Sequence, residues 1–332
     1  MSRNYYLFKS GRLSRHQNTL YFESEDVKKP IPVEDIDSLY IFGECDLNTK
    51  FINYMSQYNV PIHFFNYYGY YTGSFYPREE LNAGQVLIKQ SEYYLKKTKR
   101  LEIAKEFELS QTNNILRNLF YYANRTEYKD KIDSVKCAIE NMEKSIPTAK
   151  DISELMGIEG KIREFYYSAW KYIIGQEHNF EKRIKRPPDN LVNSLISFGN
   201  SMMYATVLSE IYRTQLNPTV SYLHEPGYRR YSLALDIAEI FKPIIVDKLI
   251  FSLLNTKQIK PNDYKKEDDA VFLKDNVKKL FISGYEDKLQ TTIKHRKLKR
   301  NVSYRHLIRL ECYKLIKHIN SIENYEAFRA WW

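Results

Sequence analysis

Cysteine is scarce: Cys45, Cys137 and Cys312 are the only three in 332 residues. An odd number of thiols this far apart makes neither a disulfide framework nor a thiolate metal site, and fits a reducing cytoplasm. Long apolar runs are missing too. Residues 1–10 lack the apolar core of a signal peptide, and the most apolar later stretch, 233–254, is broken by Asp236, Glu239, Lys242, Pro243, Asp247 and Lys248. No segment reads as membrane-spanning, and a cytoplasmic location is expected. There is no internal repeat, no low-complexity tract, no glycine-rich phosphate loop, and no His-Glu-x-x-His arrangement between His306 and His318.

What is present points elsewhere. A chain of this length with 43% apolar residues can bury a substantial core, and its length suggests two domains. The formal charge of +10 is compatible with a polyanionic partner. Aromatic residues make up 15%, with 29 tyrosines; some could stack on bases, but most are expected to pack.

Aromatic and β-branched runs at 5–8, 19–22, 38–42, 62–65 and 71–75 predict short strands, interrupted by a helix over 49–58 that Asp46 or Asn48 can cap. Beyond residue 84 the pattern becomes helical, with helices predicted around 85–120, 130–145, 157–175, 189–215, 232–254, 271–290 and 303–319, and a solvated loop over 255–269. The expected fold is α+β: a small β-rich domain over residues 1–80, then an α-helical domain over 81–332.

Residues 223–243 carry the most chemistry. His224 falls on a loop, and Asp236 and Glu239, three apart, project from one face of the following helix among Leu233, Leu235, Ile237, Ile240 and Phe241. Buried carboxylates need a partner. A divalent cation held by Glu, His and a further Glu or Asp would supply one, and oxygens plus one imidazole suit manganese or magnesium. A second acid stands in Gly157-Ile-Glu-Gly160, followed by Arg163 and Tyr166-Tyr167. Alone that segment reads equally well as a helix start with an acid complementing the dipole. His63, inside an apolar strand, reads as core or interface. Basic clusters at Arg229-Arg230, at Lys182, Arg183, Lys185 and Arg186, and over 294–300 could neutralise phosphates or simply face solvent.

Together these segments resemble the CRISPR-associated adaptation integrases, the first-numbered Cas protein family. The resemblance runs along almost the whole chain, through the run from Tyr6 to Phe22, Gly157-Ile-Glu-Gly160, the run from Asn190 to Gly199, Leu223-His224 and Ser232-Leu-Ala-Leu-Asp-Ile-Ala-Glu239. The opening run looks most like members from type I systems of the B kind. Departures are Ser221 where glycine is common, Gln215-Leu-Asn217 for Gly-Leu-Asp, and Lys242 for arginine.

The resemblance implies Mg2+ or Mn2+ held by Glu159, His224 and Glu239. It makes Asp236 an auxiliary carboxylate whose loss is expected to be milder than that of a ligand. It also implies endonuclease and integrase activity in spacer acquisition, in which the 3'-hydroxyl of a DNA fragment attacks the phosphodiester at a repeat end. Such attack builds negative charge on the phosphoryl oxygens and expels a poor leaving group, which a divalent cation can offset. Expected contacts to duplex and branched DNA are Arg163, Arg229, Arg230, Lys294, Arg296 and Lys297. The implied assembly is a homodimer through the β-rich domain, bridged by the second-numbered Cas adaptation protein. A non-catalytic DNA-binding scaffold, with the acids and histidine as a structural polar cluster, is the alternative; a small-nucleotide phosphohydrolase is weaker for want of its motifs.

Overall fold

Strand β1 (Arg3–Leu7), the antiparallel run β2 (Gly11–His16), β3 (Thr19–Ser24) and β4 (Val27–Ile31), then β5 (Ile36–Ile41), β6 (Cys45–Leu47), helix α1 (Thr49–Gln57), β7 (Ile62–Phe65) and β8 (Tyr71–Phe75) build the first of two units, Met1–Asn82. The computed structural model describes residues 3–25, 27–78, 81, 83–185, 187–227, 231–268 and 270–331. One sheet has the order β1-β5-β7-β8, parallel except for the β7–β8 pair; the other has the order β4-β3-β2-β6. Asn48 starts α1 by accepting from the Phe51 N–H at 2.9 Å. Period-two alternation then sorts the side chains. Leu39 and Ile41 join Leu13, Leu20, Phe51, Met55 and Ile62 in the core. Between them, Tyr40 turns to the other face, where it stacks with Tyr6 at 4.8 Å, and Phe42 stacks with Phe8 and Phe65. His63 is fully buried there, its Nδ1 2.6 Å from Ser74 Oγ.

The second unit, Ala83–Trp332, is mostly helical. It runs through α2 (Gly84–Leu95), α3 (Lys97–Ala123), α4 (Lys129–Glu143), α5 (Ile152–Ile174), α6 (Leu191–Tyr212), α7 (Ser232–Lys242) and α8 (Lys248–Asn255). A hairpin of β9 (Tyr264–Glu267) and β10 (Ala270–Leu273) follows, then α9 (Asp275–Gln290), a hairpin of β11 (Thr292–Lys294) and β12 (Asn301–Ser303), and α10 (Tyr304–Ile319). Helix α6 is apolar on all sides and buried along nearly its whole length, so the other helices pack around it. The first hairpin occupies part of the expected 255–269 loop, because Val271 and Leu273 alternate inward and are buried; α9 therefore starts at Asp275.

Two features of this unit position the site. Between α7 and α8 the chain makes a π-helical turn over Pro243–Asp247. Pro243 has no N–H to donate to the preceding turn; separately, the backbone carbonyls of Ile240 and Pro243 accept from Asn114 Nδ2 (2.8 Å) and Asn118 Nδ2 (2.7 Å), one turn apart on α3. The segment after α10 lies along the same helix: Ser110 Oγ donates to the Phe328 carbonyl, the Ala330 N–H donates to Asn114 Oδ1 at 2.8 Å, and Phe328 stacks on Phe241 of α7.

Candidate metal centre

His224 sits on a loop that other elements hold in place. Gln90 of α2 donates to the Asn217 and Val220 carbonyls, both at 2.9 Å, and Arg100 of α3 donates to the Tyr222 carbonyl at 2.8 Å. Ser221, which replaces a common glycine, donates from Oγ to the His224 carbonyl at 2.6 Å. From below, Asp236 of α7 accepts four hydrogen bonds. Its Oδ2 takes the N–H groups of Tyr222 (2.7 Å) and Leu223 (3.0 Å), and its Oδ1 takes the His224 N–H and Nδ1–H, both at 2.9 Å. This fixes the orientation of the imidazole, with Nδ1 toward Asp236 and Nε2 on the opposite side of the ring. Burial disfavours a charged ring, but the Asp236 hydrogen bond outweighs it and raises the His224 pKa.

Glu159 and Glu239 come from α5 and α7 and meet on one cation of the protein itself. Arg163 Nε lies 2.8 Å from Glu159 Oε1, one turn earlier on α5, and Arg163 Nη2 donates to Glu239 Oε2. Lys242 Nζ reaches Glu239 Oε1 at 2.6 Å. Burial alone would raise the Glu239 carboxyl; Arg163 and Lys242 overcome it and hold the pKa at about 2. The carboxylates are enclosed, Glu159 being 7% and Glu239 2% exposed. Among the described residues, no three His, Cys, Asp or Glu side chains stand close enough together to hold an ion. Arg163 is what stands between the two acids. The donor set still suits a hard divalent cation: two carboxylates from facing helices already share one positive charge, and an imidazole is aimed by a carboxylate.

Behind this layer are acids that sequence reasoning missed. Glu108 of α3 is fully buried and receives Thr112 Oγ1 at 3.2 Å. The Gln111 amide, oriented so that donors meet acceptors, directs its nitrogen to Glu108 Oε2 and its oxygen to Arg163 Nε, both at 3.1 Å. Burial, reinforced by Glu159, pushes the Glu108 carboxyl well up. A polar stripe on α3 (Glu108, Gln111, Asn114, Asn118) between Phe107, Ile115 and Leu119 was the available signal. A small cavity bordered by Arg163, Tyr166, Asn200, Lys242 and Asp247 adjoins it.

Asp247, at the end of the π-helical turn, accepts from Tyr166 Oη at 3.1 Å, and burial raises its pKa from 3.8 to about 7. The folded protein thus keeps a proton that the unfolded chain releases, so this residue makes stability fall as pH rises from about 4 to about 7 and adds no slope above that. Asp247→Asn is expected to flatten that decline and, at pH 8, to exceed the parent by roughly 2–4 kcal/mol. Melting temperatures of both proteins across pH 4–8 check this; parallel profiles would contradict it.

The basic residues are dispersed. Arg163 points into the acid cluster. Lys294, Arg296 and Lys297 lie on the β11–β12 hairpin, with Arg296 over the Trp331 ring at 4.7 Å and Lys297 paired with Glu323 (3.2 Å) and Glu326 (3.6 Å). Arg183 is tied to Asn193 Oδ1 (3.0 Å) and Ser197 Oγ (2.8 Å). Exposed Lys185 has a lowered pKa, through partial burial and the positive charges of Arg163, Arg183 and Lys242. Arg186, Arg229 and Arg230 lie outside the described residues.

The sequence family described as CRISPR associated protein Cas1 matches residues 5–287. The chain belongs to the Cas1 family. It is 51% identical to the CRISPR-associated endonuclease Cas1 of Fusobacterium nucleatum subsp. nucleatum, over 100% of this chain and 98% of that one. Among solved structures it is similar to a CAS1 protein from Thermotoga maritima, with a TM-score of 0.85 and 43% identity over 99% of this chain and 100% of that one. Two more distant structures share the fold. A Cas6-RT-Cas1–Cas2 complex contains a chain with TM-score 0.84 and 17% identity, covering 99% of this chain and 36% of that one, and a TtCas1–DNA complex gives 0.59 and 11%, covering 94% and 91%. As a Cas1 family member the chain is an enzyme, a CRISPR endonuclease and integrase of spacer acquisition; the scaffold alternative is set aside. Its α+β fold is that of the family. Among the described residues no helix is long and apolar enough to cross a membrane.

Proposed function

We propose that this Cas1 family member joins the 3'-hydroxyl ends of a DNA fragment to repeat ends by phosphodiester transesterification, using Mg2+ or Mn2+ held by Glu159, His224 and Glu239. The observation that carries the assignment is the meeting of Glu159 and Glu239, from separate helices, on a single shared positive charge. A divalent cation there would offset the charge gathering on the phosphoryl oxygens and activate the attacking hydroxyl. The chain's own residues do the rest. Asp236 fixes the His224 ring, Lys242 anchors Glu239, and the enclosing helices keep Glu159 and Glu239 from bulk water. Exposed Lys294 can engage backbone phosphates directly, whereas Arg296 and Lys297 do so by exchanging their contacts with Trp331, Glu323 and Glu326.

The finer reading follows the same line. The family resemblance supports a homodimer through the first unit, where β4 leaves an exposed sheet edge. Cas2 as the bridging partner and DNA as the substrate are supported by the complexes of distant relatives with the same fold. The run from Tyr6 to Phe22 supports a type I system of the B kind, and three free cysteines fit a cytoplasmic site of action. The test combines the purified protein, Cas2, a short duplex with free 3'-hydroxyls and a repeat-bearing plasmid. Insertion at both repeat ends is expected with Mn2+ and its loss is expected with EDTA. Undiminished joining in EDTA would refute the metal assignment.

A further inference from the structure

Three buried carboxylates and two cations share the space between α3, α5 and α7: Glu108, Glu159 and Glu239 against Arg163 and Lys242. Two of the acids have taken Arg163. The third, Glu108, is fully buried, and its hydrogen-bond partners among the described residues, Thr112 and the Gln111 amide, are neutral. Burial favours the protonated, neutral form of Glu108, so it sits beside an arginine without pairing to it and can take up charge only in an arrangement that brings a cation to it. Gln111 supplies the link, since one amide touches both Glu108 and Arg163 Nε. A guanidinium is a planar fork that can leave one carboxylate and pair bidentately with another without changing its charge.

Accepting the ligand set proposed above, on which this rests, a divalent cation and Arg163 compete for the same pair of carboxylates. We propose that Arg163 is a resident counter-cation that changes partners: it holds Glu159 and Glu239 together while the metal is absent and moves to Glu108, past Gln111, when the metal binds. Arg163 and Glu108 are then positioning residues. One keeps the ligands preassembled against their mutual repulsion; the other releases its proton to solvent as the guanidinium arrives and so balances the displaced charge, and metal and arginine do not face each other unscreened. Binding of metal is linked to the displacement, which lowers its apparent affinity.

The readout is Mn2+ affinity, measured by calorimetry with MnCl2 on the full chain. Arg163→Gln removes the competitor and is expected to bind Mn2+ about tenfold more tightly or better, while melting lower than the parent without metal. Glu108→Gln keeps shape but cannot become the receiving carboxylate, and is expected to bind about 10–100-fold more weakly. Unchanged or weaker binding by Arg163→Gln, or unchanged binding by Glu108→Gln, would overturn the exchange. Should Arg163→Gln fail to fold, Glu108→Gln decides alone. Glu159→Gln and Glu239→Gln separate the two levels. If both still bind Mn2+ like the parent, the ligand set is wrong and the exchange falls with it. If they lose binding while Arg163→Gln and Glu108→Gln bind like the parent, the ligand set stands and only the exchange is refuted.

Discussion

Asp236→Asn is expected to loosen the His224 loop and to lower stability by about 3–5 kcal/mol, a larger effect on folding than any substitution of a proposed ligand. Asp236 is fully buried and accepts the N–H groups of Tyr222, Leu223 and His224 together with the imidazole Nδ1–H. Asparagine has one acceptor oxygen where the carboxylate has two. Its NH2 group would face a donor, and at least one buried N–H would lose its partner. Each such loss costs roughly 1–3 kcal/mol, more when the bond was to a charge. Urea denaturation followed by circular dichroism measures the difference. A loss below about 1 kcal/mol would mean that Gln90 and Arg100 hold the loop by themselves. The family resemblance makes this acid an auxiliary group whose loss costs less joining than that of a ligand; its bonds add the part of an anchor for the loop.

The largest effect on activity is expected from the proposed ligands. Glu159→Gln, His224→Ala and Glu239→Gln should each lower metal-dependent joining by about 10²–10³-fold or more, because each removes a group that holds charge where the transition state develops it. Duplex binding should survive, since it depends on phosphate contacts elsewhere. Glu239→Gln should also melt lower than His224→Ala, as Glu239 is the common partner of Arg163 and Lys242 while the His224 side chain is 20% exposed. Single-turnover joining rates alongside melting curves test both points. Full activity in a folded His224→Ala protein would sink the ligand assignment.

Local chemistry was legible where one residue decides the outcome. Asn48 caps α1, the strands at 62–65 and 71–75 follow their aromatic alternation, and Asp236 and Glu239 do share the buried face of α7. The strands β2, β4 and β6 were not legible. Lys28, Lys29 and Pro30 of β4 are exposed and form an edge that no apolar alternation marks, and β6 has only three residues. The long helix expected over 85–120 is broken at Lys96, whose extended backbone nothing in its composition signals. Arg163 shows the same limit at the site. Its sequence position beside Glu159 is equally suited to a DNA contact and to an internal ion pair, and only the approach of α7 brings Glu239 to it. Glu108 and Gln111 belong to a helix about 50 residues before the recognised motif, so their role depends on tertiary packing alone.

The π-helical turn over Pro243–Asp247 sets an angular phase. An α-helix advances 100° per residue, so accommodating one extra residue in a wider turn leaves α8 about a quarter-turn behind the course of an unbroken helix. With that offset, Glu239 faces α3 and α5 while Leu249, Ile250, Phe251, Leu253 and Leu254 are all buried, and Phe251 meets the Trp170 ring of α5 at 4.5 Å. The number of residues between Glu239 and Phe251, more than their identity, therefore keeps the acidic face and the apolar face in register. The segment can exchange one aliphatic residue for another, but it cannot gain or lose one without turning Glu239 away from Arg163 or Phe251 away from Trp170.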